Sequence, residues 1–67
     1  MKTVLVTIAP GFEEIETITV VDILRRAGAR VTLAATVQGI LEGSRGIKLE
    51  PDELLDSIKE KEFDLHL

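Results

Sequence analysis

Val4-Leu5-Val6-Thr7-Ile8-Ala9-Pro10-Gly11-Phe12-Glu13-Glu14-Ile15-Glu16-Thr17 holds an apolar run, a tight turn and three carboxylates at the start of a helical pattern. Val4 to Ile8 is continuous, short and rich in β-branched residues. That is the pattern of a strand buried on both faces, as in a parallel sheet. Pro10-Gly11 ends the strand. In an open α/β sheet, the space beyond a strand's C-terminal end is where ligands bind, so the turn and the acids after it are the first candidates for a site.

Working outward, the spacing predicts a helix from Glu13 to Ala27. Val20, Ile23, Leu24 and Ala27 follow the 3.6-residue period and form one apolar stripe. Acids crowd the helix start and Arg25-Arg26 stand near its end, which complements the macrodipole at both ends. Gly28 is placed as the C-terminal cap residue. Arg30 to Ala35 then reads as a second strand. Strand, helix and strand within about 35 residues make a βαβ unit with a right-handed crossover and parallel strands.

The second half is less regular. Thr36 to Gly46 contains Gly39, Gly43 and Gly46 and reads as a hairpin or irregular excursion, followed by a short strand at Ile47-Lys48-Leu49. Pro51 to Ile58 has the look of a short helix, with acids near its start and apolar residues at Leu54, Leu55 and Ile58. Lys59 to Glu62 is a solvated charged run. Phe63-Asp64-Leu65-His66-Leu67 reads as the opening of another strand.

Size and composition bound the rest. A chain of 67 residues is one small domain or part of a larger one. At this length folding buries only roughly 60% of the unfolded surface. Phe12 and Phe63 are the only aromatics in a chain that is 45% hydrophobic, so the core must be aliphatic. There is no cysteine, which rules out disulfides, thiolate metal sites and a cysteine nucleophile within these residues. The net charge of -4 offers no basic face for nucleic acid. The first apolar run is too short to span a membrane and lacks the pattern of a signal peptide, so a cytoplasmic location is expected.

Glu16 is the first candidate for chemistry. It precedes Val20 by four residues and Leu24 by eight, which places it on the face of the apolar stripe, looking back toward the end of the first strand. A neutral glutamic acid there could donate a hydrogen bond to a neighbouring thiolate or oxyanion, whereas the helix N-terminus favours a charged one. The bland alternative is an acid that merely helps the helix start. Glu13 and Glu14 read as solvated acids or as acceptors for backbone N–H groups, and one of them could reach across an oligomer interface.

A second stripe, Ile15, Ile18, Asp22 and Arg25, is expected either to face a second copy or to pack beneath other parts of the domain, with an isologous dimer as the default. Asp22 and Arg26 are spaced for an i,i+4 pair. Ser44-Arg45-Gly46 resembles a shaped turn, in which Arg45 is either a plain surface residue or a partner for a carboxylate or an anion. His66 has no identifiable nucleophile or co-ligand, so neither a metal nor a cofactor is expected. Dinucleotide, Walker, GxSxG and CxxC motifs are absent.

Together these residues resemble the opening of the ThiJ/PfpI superfamily, in particular its DJ-one branch. The similarity runs through Val4 to Thr17, Val21 to Gly28 and Val31-Thr32, and returns at Ser44-Arg45-Gly46-Ile47 and Pro51-Asp52. It implies a flavodoxin-like three-layer α/β sandwich with a parallel sheet that forms homodimers, here represented by a βαβ-β-α portion. Family members act on reactive carbonyls as glyoxalases or debated deglycases; others are stress chaperones, peptidases or redox sensors. The family's nucleophile is a cysteine on a strained turn between a later strand and helix, hydrogen-bonded by a glutamate of the first helix whose position Glu16 matches. Arg26 and Arg45 match arginines at or near the family's dimer interface, with Glu13 close by.

There are departures. Phe63-Asp64 matches the start of a strand that in the family continues to a Pro-Gly-Gly turn, and His66 takes a usually apolar position. The nucleophile has no counterpart in this sequence. The resemblance therefore implies a single partial domain over residues 1–67, the N-terminal third or so of a family member. Its partners would be a second copy or the complementary C-terminal portion, with a small reactive carbonyl as substrate only once completed. No activity is expected of the chain alone. The other reading is a non-catalytic association module with Glu13, Ile15, Ile18, Asp22, Arg26 and Arg45 on its interface. A receiver-like signalling domain would need a phosphoacceptor Asp at a strand end, and none is placed there.

Overall fold

A computed structural model describes residues 2–59 and 62–67. Strand β1, Thr3–Ile8, leads through the Pro10-Gly11 turn into helix α1, Glu14–Arg26, and on to strand β2, Arg30–Ala35. The βαβ unit thus forms within a residue of the expected boundaries. β1 and β2 pair in parallel from Thr3↔Arg30 to Ile8↔Ala35. Gly28 ends the helix as expected, at φ +95°. Its N–H donates to the carbonyl of Arg25, and that of Ala29 to the carbonyl of Leu24. This two-bond cap needs a left-handed residue, which glycine supplies without a Cβ clash.

Of the two readings for Thr36 to Gly46, residues 36–40 form the irregular excursion, while a hairpin forms from Leu41 onward and takes in the strand expected at Ile47 to Leu49. β3, Leu41–Glu42, pairs antiparallel with β4, Lys48–Leu49, around a turn containing Ser44 and Arg45. β6, Leu65–His66, lies parallel to β1 in the register Val4↔Leu65. Asp64 fixes that register. Its Oδ2 accepts from the Thr3 N–H at 2.8 Å and the Thr3 hydroxyl at 3.1 Å. The bond from the Thr3 N–H, then that from its hydroxyl, with Lys2 nearby, hold the Asp64 carboxyl below the usual carboxylate range against a smaller opposing effect of burial.

The helix expected over Pro51 to Ile58 does not form. Glu53–Leu54 is instead a short strand, β5, parallel to β2, followed by a single 3₁₀ turn at Leu55–Ser57. The cause lies far away in sequence. Asp52 donates its N–H to the Leu33 carbonyl, while its Oδ2 accepts from the Leu33 N–H, both at 2.8 Å. Arg25 closes the same tie with one Nη2 donating to Asp52 and to the Val31 carbonyl, each at 2.9 Å. A segment bound in this way to the edge of β2 is held extended and cannot coil. Of the charged run Lys59 to Glu62, Glu60 and Lys61 lie outside the described residues, and the other two are exposed.

The described strands form a four-stranded parallel sheet in the order β5-β2-β1-β6, with the β3-β4 hairpin beside it. The core is aliphatic apart from Phe12. Val4, Val6, Ile8, Val31, Leu33 and Ala35 of the sheet pack with Val21 of α1 and Leu41 of the hairpin. Leu5 alternates to the other face and is fully buried too. No helix is long and apolar enough to cross a membrane among the described residues.

Candidate functional site

Gly11, the first turn of α1 and the tip of the hairpin meet at the C-terminal end of β1. Gly11, at φ +87°, donates its N–H to the Glu42 carbonyl at 2.9 Å, and Ser44 donates to the Phe12 carbonyl at 2.8 Å. Glu14 joins these pieces. Its Oε2 accepts from the N–H of Arg45 at 2.7 Å and of Ile47 at 3.2 Å, and its Oε1 accepts from the Ser44 hydroxyl at 3.3 Å. Only 3% of Glu14 is exposed. Burial pushes its carboxyl upward, but the hydrogen bonds from its own N–H, Ile47, Arg45 and Ser44 together outweigh burial and leave it below the usual carboxylate range.

The inward acid is therefore Glu14, not Glu16. Glu16 stands in the same helical turn at the same end of the sheet, with its side chain exposed. The stripe expected to share its buried face is largely exposed as well: Ile23 is 57% and Val20 36% accessible, Ala27 is open, and only Leu24 packs partly on the core. The helix is rolled so that Glu14, Thr17, Val21 and Leu24 face the sheet. That face has one carboxylate and one hydroxyl, yet it wins because the hairpin backbone satisfies the carboxylate. Of the expectations for Glu14, a solvated acid, an acceptor for backbone N–H groups or a reach across an interface, the structure shows the backbone acceptor, with partners some thirty residues away.

The proposed interface residues are all on the surface. Ile15 is 75% and Ile18 45% exposed, so the second stripe does not pack beneath the domain. Asp22 pairs with Arg26 Nε at 3.0 Å, as the i,i+4 spacing predicts. Glu13 is the exposed N-cap residue of α1 and makes no side-chain capping bond. Arg45 is exposed, and it is its backbone N–H, not its guanidinium, that meets the Glu14 carboxylate. His66 lies on β6, beside Leu5 of β1, with its ring edge-on to Phe63 at 6.4 Å.

The sequence and the fold are matched in known proteins. The model of the DJ-1/PfpI family matches residues 2–67, nearly the whole chain. The chain belongs to the DJ-1/PfpI family. Among curated relatives, the DJ-1 homolog A of Arabidopsis thaliana is 54% identical over 63 residues, covering 92% of this chain and 16% of its own length. The dj-1beta protein of Drosophila melanogaster is 42% identical over 65 residues, covering 96% of this chain and 35% of its own. Among solved structures, oxidized Toxoplasma gondii DJ-1 superposes with a TM-score of 0.93 at 36% identity, covering 98% of this chain and 36% of that one. The Drosophila DJ-1beta crystal structure gives 0.90 at 39%, covering 97% and 36%. The parallel sheet and helix are thus those of the DJ-1/PfpI flavodoxin-like fold, and the chain spans about a sixth to a third of these relatives.

Proposed function

We propose that these residues are the N-terminal segment of a DJ-1/PfpI protein whose complete form acts on reactive carbonyls, as a glyoxalase or deglycase, or protects against oxidative stress. The nucleophile would be a cysteine absent from this sequence, and Glu16 its supporting acid. The observation that carries the reading is the place of Glu16: exposed, in the first turn of α1, at the C-terminal end of the parallel sheet, where such sheets bind ligands. A carboxyl tied up by backbone bonds, like that of Glu14, has nothing left to offer a substrate. Glu16 is available.

In the complete protein the cysteine thiolate would add to the aldehyde carbon, forming a C–S bond as the carbonyl oxygen takes the electron pair and then a proton. Glu16, beside the sulfur, would be the supporting acid that orients the thiol for addition. The chain alone holds the helper without the nucleophile. Purified, it should turn over methylglyoxal no faster than its Glu16→Gln variant; turnover well above that control would contradict the reading.

The second reading is a non-catalytic association module, and the exposed Ile15 and Ile18 beside the Asp22–Arg26 pair favour it. Aliphatic side chains held open on a helix next to charges of both signs suit an isologous contact, with Glu13 and Arg45 at its margin. Sedimentation of the wild type against Ile18→Glu separates the two: a dimer that Ile18→Glu dissociates supports the module, and a monomer in both cases removes it.

A further inference from the structure

The Glu14 carboxylate accepts three hydrogen bonds from one short turn, beside the one from its own N–H. Three consecutive-to-neighbouring groups of that turn, the Ser44 hydroxyl and the Arg45 and Ile47 N–H groups, point at it. Gly43 makes the approach possible. A Cβ on Gly43 would lie 2.5 Å from both Cδ and Oε2 of Glu14, so no larger residue fits while the carboxylate is seated. Within the turn, the Gly43 N–H donates to the Ile47 carbonyl at 2.8 Å and the Gly46 N–H to the Gly43 carbonyl at 3.1 Å. Its remaining inward donors are satisfied by Glu14 or by Phe12.

We infer that Glu14 is a positioning residue that rivets the Ser44–Ile47 turn to the first turn of α1, so that Glu16, Ile15, Arg45 and Ile47 move as one rigid body. The two-residue strands β3 and β4 are too short to hold the hairpin alone. The carboxylate supplies what the ladder lacks, and it fixes where Arg45 leaves the surface relative to Ile15. The consequence for association rests on the interface reading above; the rivet itself does not.

Amide hydrogen exchange on the full chain tests it, with β1 and β2 amides as the internal reference for global opening. In Glu14→Ala, the Arg45 and Ile47 amides should exchange about tenfold faster or more, with β1 and β2 unchanged. Glu14→Gln should restore most of the protection, because its amide oxygen accepts from the same two N–H groups and its NH₂ can meet the Ser44 oxygen. Gly43→Ala should reproduce Glu14→Ala by displacing the carboxylate, and should add nothing further in the Glu14→Ala background.

If Glu14→Ala unfolds the chain, Gly43→Ala carries the test, since the carboxylate can then swing out to water. Wild-type protection of Arg45 and Ile47 in Gly43→Ala, or additive losses in the double variant, would overturn the rivet. A loosened turn with unchanged sedimentation would leave the rivet standing and remove the interface reading alone.

Discussion

The two sides of α1 differ less in composition than in what lies opposite them. The outer side carries Glu16, Val20, Ile23 and Ala27, and is the more apolar; it is left largely open. The inner side carries Glu14, Thr17, Val21 and Leu24, and it packs on the sheet. Two residues along a helix turn the side chain by about 200°, so Glu14 and Glu16 cannot share a role. The helix is oriented by polar ties at its two ends, Glu14 to the hairpin and Arg25 to Asp52, as much as by its hydrophobic stripe. The acid that builds the site and the acid free to work in it are neighbours in sequence and opposites in surroundings.

The largest expected effect comes from placing a charge on each side. Val21→Asp puts an unpaired carboxylate into the core cluster, at a cost of several kcal/mol, about as much as a chain this small has to lose. Cooperative urea unfolding by circular dichroism should disappear. Val20→Asp, one residue earlier, should move stability by less than about 1 kcal/mol. Equal effects would break the distinction between the sides.

Removing each acid comes next. Glu14→Ala should lower the urea midpoint, and Glu16→Ala should leave it in place. The reverse order would mean that Glu16 is the structural acid after all.

Acid titration sharpens the same contrast. The folded-state carboxyls of Glu14 and Asp64 are held below their ordinary range by the hydrogen bonds they accept. A group depressed in this way stabilises the fold fully above its unfolded-state pKa, and the contribution is lost as pH falls through the folded value. Stability should therefore fall on acidification through the carboxylate range. Glu14→Gln and Asp64→Asn should each flatten part of that fall. An unchanged slope in both would show that these bonds do not survive in solution. The smallest effect belongs to the surface: Asp22→Ala, which removes an exposed i,i+4 pair, should cost only about 0.3–0.5 kcal/mol.

The βαβ unit was legible because everything it needs is local. A β-branched run, a Pro-Gly turn, charge at both helix ends and Gly28 at the cap each act within a few residues. Which side of the helix faces inward was not legible, because the count of apolar residues favours the stripe of Val20 and Ile23, while the deciding bonds come from Arg45 and Ile47. Pro51-Asp52-Glu53 failed for the same reason. Its local pattern is that of a helix start, but Asp52 is bound by Leu33 and Arg25. No local signal marks Glu14 as the riveted acid; the glycine at position 43 and the serine after it are the nearest hint, and they become meaningful only once the hairpin is placed. Helical periodicity alone put Ile15, Ile18 and Asp22 on one stripe and spaced Asp22 to pair with Arg26, but whether that stripe lies open depended on the rest of the fold.

The most direct test joins this chain to the C-terminal remainder of its Drosophila relative and compares Glu16→Gln with Glu14→Gln. Methylglyoxal turnover and the unfolding midpoint are measured on each. Glu16→Gln should lose roughly 10²-fold in turnover, the scale of one positioned acid, with the midpoint unchanged. Glu14→Gln should keep its turnover near that of the parent. Full turnover in an active joined protein carrying Glu16→Gln would contradict the division of labour between the two acids.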